Sequence, residues 1–266
     1  MRGWFFPLLR SVSTLDLPRR APRPARLPWF ALNVLQAAFT LAWTGTGICL
    51  VLLLRLFAGG DWPLRVAARG WAPGLLRGAG ARLRVRGGEG IDWSQPLVLV
   101  ANHQSMIDVC ALFRAVPVPL RFMLKQELAR VPFVGWYARR MGMVFIDRGN
   151  AREARRSLSA AAGLLRGGTA LVAFPEGTRS RDGRVAAFKG GAFQVAIEAG
   201  VPVVPVAIRG SGAVLPASGF GVRPGTIDVV FGQPLSTDGL QPQDRNALAR
   251  QAQAAVAALL HPAARG

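Results

Sequence analysis

From Leu27 to Leu54 the chain carries no charged side chain, a run of 28 residues. About 20 apolar residues suffice to cross the hydrocarbon core of a bilayer. A helix buried in a soluble domain is seldom that long. A cleaved leader fits poorly as well, because its apolar core would be about 7–15 residues and a small-x-small cleavage site would follow. The run predicts a retained membrane helix or helical hairpin. Trp29 and Phe30 at one end and Arg55 at the other are placed as interfacial anchors. Asn33 and Gln36 dilute its first half.

Charge supports the same reading. The chain of 266 residues has a formal net charge of +19, which calls for an anionic partner. Thirteen arginines, no lysine and two aspartates (Asp16 and Asp61) fall in the first 86 residues, so eleven of those nineteen charges lie around the apolar run. The stretch "DWPLRVAARGWAPGLLRGAGARLRVRG" after it alternates Trp62, Leu64, Val66, Trp71, Leu75 and Leu76 with Arg65, Arg69, Arg77, Arg82 and Arg84. It reads as a basic, Trp-anchored segment on anionic headgroups, the plainer alternative being a solvated helix face. No zinc-finger, helix-turn-helix or aromatic RNA-binding pattern accompanies the arginines, so nucleic acid is not the expected partner. The arginine excess after the run favours a cytoplasmic main domain. The only cysteines, Cys49 and Cys110, are expected to remain free thiols in a reducing compartment.

From about residue 81 the pattern becomes one of short apolar runs alternating with helical segments. Strands are predicted at 96–102, 120–125, 143–148, 169–177, 201–210 and 226–235. Helices are predicted at 105–116, 151–167, 189–200 and 245–261, with a helix or turn at 135–142. This is an α/β fold with a mostly parallel sheet flanked by helices and an N-terminal membrane-anchoring helical segment. The expected organisation is 1–80 for the anchoring region (apolar span 27–54, basic amphipathic segment 62–80) and 81–266 for the main domain. Ligands in such sheets bind beyond the carboxyl ends of strands. Asn102 and His103, Arg148, and Pro175 to Thr178 all fall at such ends.

The block "NHQSMID" holds one of only two histidines, the other being His261 near the end of the chain. Ser105-x-x-Asp108 is also an ordinary capping pattern. Residues five apart on an ideal helix diverge by about 140°. His103 and Asp108 therefore meet only if His103 precedes the helix and Asp108 lies in its first turn. Asp108 then fixes one ring nitrogen and leaves the other as a base. No G-x-S-x-G elbow is present, so the attacking group is expected to belong to a substrate. In "FPEGTRSRDG" a strand runs into a glycine turn beside arginines, a setting for an anionic oxygen. An ordinary polar loop is the plainer alternative.

With these blocks in place, the chain resembles the membrane-bound glycerolipid acyltransferase family, and within it the 1-acylglycerol-3-phosphate acyltransferases. "NHQSMID" is similar to the family's N-H-x-x-x-x-D block. "GMVFIDR" is similar to its G-x-x-F-x-x-R block at Gly142, Phe145 and Arg148. "FPEGTRS" is similar to the third block, and "VPVVPVAI" to the fourth, with Pro205 as the central proline. The resemblance runs over roughly residues 80 to 235.

The resemblance implies His103 as general base and Asp108 as its orienting partner. Arg148 and the turn Glu176, Gly177, Thr178 and Arg179 would hold the phosphate and glycerol of the acceptor, and Pro205 would shape the site beside the acyl donor. The implied reaction moves an acyl group from acyl-coenzyme A or acyl carrier protein to the sn-2 hydroxyl of lysophosphatidic acid, giving phosphatidic acid for phospholipid biosynthesis. The tetrahedral oxyanion needs donors, and backbone amides near the "NHQS" turn are candidates. Neither a metal nor a cofactor is expected, the thioester being a co-substrate. The expected partners are these substrates and membrane lipids, with no nucleic acid, and the expected location is the cytoplasmic side of the inner membrane. The alternatives are a different lyso-acceptor, such as a lyso-ornithine lipid, and a non-enzymatic membrane scaffold.

Overall fold

The computed structural model describes residues 26–57, 59–147, 149–219 and 221–261. The uncharged run forms one helix, α1 (Arg26–Leu54). Its stretch Trp29–Leu53 is long and apolar enough to cross a membrane. The chain then turns back through α2 (Trp62–Val66), a π-helical turn (Ala67–Trp71) and α3 (Ala72–Gly78). α3 packs against α1 because its glycines leave room for aromatic rings. A Cβ on Gly74 would lie 2.5 Å from Trp43 Nε1, and one on Gly78 would collide with Phe39. Trp43 Nε1 donates to the Trp71 carbonyl at 3.2 Å, and Trp71 Nε1 donates to Thr44 Oγ1 at 3.1 Å.

Seven strands form one sheet among the described residues. β1 (Ala81–Arg86) and β2 (Leu97–Ala101) precede α4 (Ile107–Ala115). β3 (Leu120–Lys125), a 3-10 turn (Gln126–Arg130), α5 (Val134–Arg140) and β4 (Val144–Ile146) follow. Next come α6 (Ala151–Arg166), β5 (Ala170–Ala173) and α7 (Gly191–Ala199). The chain closes with β6 (Val203–Arg209), α8 (Ser211–Val214), β7 (Gly225–Phe231) and α9 (Arg245–Leu260). The order is β1-β7-β6-β2-β5-β3-β4. Only the β6–β7 pair is antiparallel.

β2 lies at the centre, and its continuous apolar run is the signature of a strand covered on both faces. Leu97, Leu99 and Ala101 join Leu64, Leu75, Leu76 and Leu112 in a core on one face. Val98 and Val100 join Leu165, Phe193 and Leu248 on the other.

Two sequence expectations change. The run 81–86 forms a strand that was not predicted, an edge strand beside β7. Its exposed Arg82, Arg84 and Arg86 put charge on the open edge, a common protection of unpaired strands. Most of the apolar stripe of 62–80 faces protein: Leu64, Ala72, Leu75 and Leu76 are buried in the domain core, Trp62 and Trp71 are partly buried, and Val66 is exposed with Arg65, Arg69 and Arg77. An apolar stripe marks a buried face without saying whether protein or lipid covers it.

Candidate active site

β2, β5 and β6 are parallel neighbours, so their carboxyl ends open on one side of the sheet. The site is built from the turns leaving those ends. Asn102 fixes where the chain departs from β2. Its carboxamide donates to the Ile208 carbonyl at 2.9 Å and accepts from the Ile208 amide at 2.7 Å. These two bonds continue the β2–β6 ladder past its last backbone pair, Ala101 with Val206.

His103 comes next, before the helix, because α4 starts only at Ile107. Asp108 lies in the first turn of α4 and is fully buried. His103 Nδ1 is 2.8 Å from Asp108 Oδ2. The same oxygen accepts the amides of Gln104 and Ser105, each at 2.8 Å. A carboxylate facing Nδ1 requires the ring proton there, which leaves the Nε2 lone pair free to accept. The imidazole stacks on Phe174, with centroids 4.0 Å apart and planes 15° from parallel. Its side chain is 15% exposed, enough to meet a substrate hydroxyl.

Glu176 follows β5 and is 4% exposed. The resemblance places it among the residues that hold the acceptor, but both of its oxygens are engaged within the protein. Oε1 accepts the His103 amide at 2.7 Å and Oε2 the Ala186 amide at 2.9 Å. Burial raises its carboxyl above the ordinary range, and the two amide donors partly offset that shift. Here Glu176 ties the two loops together and positions the His103 backbone. The Ser180 amide adds a second tie, donating to the His103 carbonyl at 2.7 Å.

These bonds narrow the choice of oxyanion donors near this turn. The amides of His103, Gln104 and Ser105 all donate to carboxylates already. None is spare for a developing oxyanion.

Gly177 has φ of +77°, a conformation that costs glycine little, and it turns the chain out of β5 toward Thr178 and Arg179. Thr178 is exposed and Arg179 half-buried. No ion pair or side-chain hydrogen bond ties Arg179 to another described residue. Arg148 lies outside the described residues. In the same block Gly142 adopts φ of +69° with the Arg121 side chain against it.

Pro205 lies inside β6 opposite Val100, upstream of the carboxyl end. Its carbonyl accepts the Gly232 amide at 2.8 Å. The N and C=O of a strand residue face the same side, so its missing N–H falls where β7 ends and costs no ladder bond to β2.

A cavity of about 300 Å³ adjoins these loops, lined in part by Gln104, Ser180, Arg181, Gly210 and Gly212. Cys110, one turn into α4, is no rival nucleophile. Burial, reinforced by the Asp108 charge, pushes its thiol up to about 12. Sequence reasoning left Asn102 and Phe174 without a role. Their places in the two blocks were the signal, but their partners lie on other strands.

The chain is similar to known acyltransferases in sequence and in fold. The acyltransferase family profile matches residues 82–209. A 1-acyl-sn-glycerol-3-phosphate acyltransferase of Chlamydomonas reinhardtii is 39% identical over 171 residues, which is 63% of this chain and 49% of that protein. One from Pseudomonas aeruginosa is 36% identical over 177 residues, covering 66% of this chain and 68% of the relative. The crystal structure of the 1-acyl-sn-glycerophosphate acyltransferase PlsC from Thermotoga maritima superposes with a TM-score of 0.74 at 25% identity, over 90% of this chain and 99% of that one. The chain spans about half the length of the first plant and algal relatives it matches. It belongs to the acyltransferase family that includes these 1-acyl-sn-glycerol-3-phosphate acyltransferases.

Proposed function

We propose that this chain transfers an acyl group from a thioester to the sn-2 hydroxyl of a 1-acylglycerol-3-phosphate, forming phosphatidic acid. The observation that carries the proposal is the 2.8 Å contact of His103 Nδ1 with the buried Asp108 carboxylate, at the carboxyl end of the central strand. The names of the relatives supply the substrate class.

In this reading His103 Nε2 takes the proton of the acceptor hydroxyl as its oxygen bonds to the thioester carbonyl carbon. Asp108 stabilises the imidazolium that forms, and the Phe174 face beneath the ring adds to that. When the tetrahedral intermediate collapses, the C–S bond breaks and the imidazolium returns the proton to the leaving thiol. The balance needs neither a redox partner nor an acyl-enzyme. Coenzyme A and acyl carrier protein both satisfy it as the thiol carrier. Arg179 at the strand end, together with Arg148, serves the acceptor phosphate. α1 holds the domain at a membrane, where acceptor and product are dissolved, and the larger count of arginines after the span supports a domain on the cytoplasmic side of the inner membrane.

The test is thiol release in detergent from an acyl thioester, with lysophosphatidic acid or a lyso-ornithine lipid as acceptor. The expected result is turnover with the phosphate-bearing acceptor. His103→Ala should lose about 10²–10⁴-fold, the usual contribution of a positioned base. Turnover with the phosphate-free acceptor alone would replace the substrate assignment. A His103→Ala rate within a factor of about ten of the wild type would end the general-base role.

A further inference from the structure

The chain leaves β3 at the same end of the sheet from which His103 leaves β2, because the two strands run parallel through β5. It then makes a turn, Val131–Trp136, whose apolar side chains are not covered. Val131, Phe133, Val134 and Trp136 are all large exposed hydrophobics, with Phe133 and Trp136 about half exposed. Their rings meet edge to face at 5.3 Å.

Phe133 is the only non-glycine residue with positive φ among the described residues, at φ 61° and ψ −56°. The Val134 amide donates across it to the Pro132 carbonyl at 2.6 Å. This is the rarer, strained form of γ-turn. Such strain persists only where the surroundings over-determine it, and it concentrates at functional positions. Here the surroundings are built for it. The Gly135 amide donates to the Val131 carbonyl at 2.8 Å, and a Cβ on Gly135 would collide with the Ala129 carbonyl. Arg139 Nη1 donates to that same carbonyl at 2.6 Å. The Tyr137 amide donates to the Phe133 carbonyl at 2.8 Å. The fold thus holds an aromatic ring outward in a conformation that ordinary packing would relax.

The surroundings also indicate the occupant. Lys125, Arg130, Arg139 and Arg140 are exposed around the turn, against Glu127 alone. α5 touches α1, so the apolar turn continues onto the apolar helix. The first turns of α1 reach the same end of the sheet. Asn33 Oδ1 accepts the Val222 amide at 2.9 Å, and Arg223 lies over the Trp29 ring at 5.1 Å. Those two residues precede β7, which starts beside the carboxyl end of antiparallel β6. Phe30, Leu32, Val34 and Leu35 are exposed there, and so is Met106, three residues after His103. Apolar groups within a ring of cations suit a bilayer with anionic headgroups.

We propose that the strained Val131–Trp136 turn is a second membrane-inserted element, which seats the mouth of the His103 site against the bilayer so that a lipid acceptor enters from the membrane. The inference rests on the membrane reading of α1 and adds an orientation to it.

The test uses the full chain with Cys49→Ser and one new cysteine carrying an environment-sensitive fluorophore. Three positions are compared, Val134→Cys, Leu41→Cys on α1 and Glu89→Cys beyond β1, on phosphatidylcholine–phosphatidylglycerol vesicles containing doxyl-labelled lipid. The labels at 134 and 41 are expected to be quenched and the label at 89 not. Quenching at 41 without quenching at 134 would overturn the proposal and leave α1 as the sole anchor. This pattern is also the one a soluble protein partner at the turn would give. Quenching at neither position would overturn the membrane reading itself. In a second measurement, Phe133→Ser with Trp136→Ser should lower turnover of vesicle-borne acceptor at least about tenfold, because two half-exposed rings together present the surface of about one large apolar side chain to the bilayer. Turnover of a short-chain, freely soluble acceptor should be unchanged. Phe133→Gly, which relieves the strain, should raise Tm while still lowering vesicle turnover. A higher Tm with full vesicle turnover would overturn the proposal.

Discussion

Asp108→Asn separates the two jobs of the buried carboxylate. Asp108 Oδ2 accepts three N–H groups at 2.8 Å, two from the backbone and one from His103. Asparagine keeps an oxygen in that place but loses the charge. Hydrogen bonds to charged groups are worth roughly 1.5–3 kcal/mol and neutral ones roughly 0.5–1.5 kcal/mol, so each bond weakens by about 1 kcal/mol. The two backbone bonds exist before and during reaction, so their loss appears as about 2 kcal/mol of stability, or a fall in Tm of roughly 4–8 °C. The His103 bond differs because it strengthens as the imidazolium forms. Losing the charge there costs about 1–3 kcal/mol of transition-state stabilisation, a fall in kcat of about 5- to 150-fold. KM should scarcely move, because the carboxylate is fully buried and out of reach of substrate. Asp108 Oδ1 has no hydrogen-bond partner among the described residues, so the new amide nitrogen would stand there as a buried donor, adding to the stability loss and not to the kinetic one. The assay is thiol release in detergent with the acceptor varied, beside thermal unfolding of both proteins. A lower Tm with kcat within about threefold of the wild type would refute the reasoning, since the carboxylate would then be a helix cap and nothing more.

Three further outcomes follow from the same geometry. Glu176→Gln leaves one acceptor oxygen for two amides, so one backbone N–H faces an NH₂ group; the cost should be about 1–3 kcal/mol of stability, read by thermal unfolding, with a fall in kcat because the His103 backbone loosens. Arg179→Ala should lower kcat/KM for lysophosphatidic acid about 10- to 100-fold and leave a phosphate-free acceptor nearly unaffected, and equal losses on both would make Arg179 a structural residue. The full chain should resist high-salt extraction from membranes, whereas removal of residues 1–58 should leave weaker binding, whose salt-sensitive part the exposed Arg65, Arg69 and Arg77 carry, as sedimentation at two ionic strengths would show.

The sequence by itself determined the alternation of strands and helices, the central buried strand ahead of "NHQSMID", and the meeting of His103 with Asp108. Those features are local: a continuous apolar run, a capping pattern and a spacing of five residues decide them with little help from the rest of the chain. It also marked α1, because no charge interrupts the run. Tertiary structure alone decided the rest. Glu176 becomes a clamp because β5 pairs beside β2, which brings its carboxylate to the His103 amide from 73 residues away. Asn102 becomes the hinge of the site because β6 supplies Ile208 across the sheet. The amides of His103, Gln104 and Ser105 are lost to an oxyanion because carboxylates already claim them, one of which comes from that distant loop. Most of the apolar stripe of 62–80 faces protein because α4 and the sheet are there to cover it. A sequence records which groups need a partner, and only the packed chain assigns the partner.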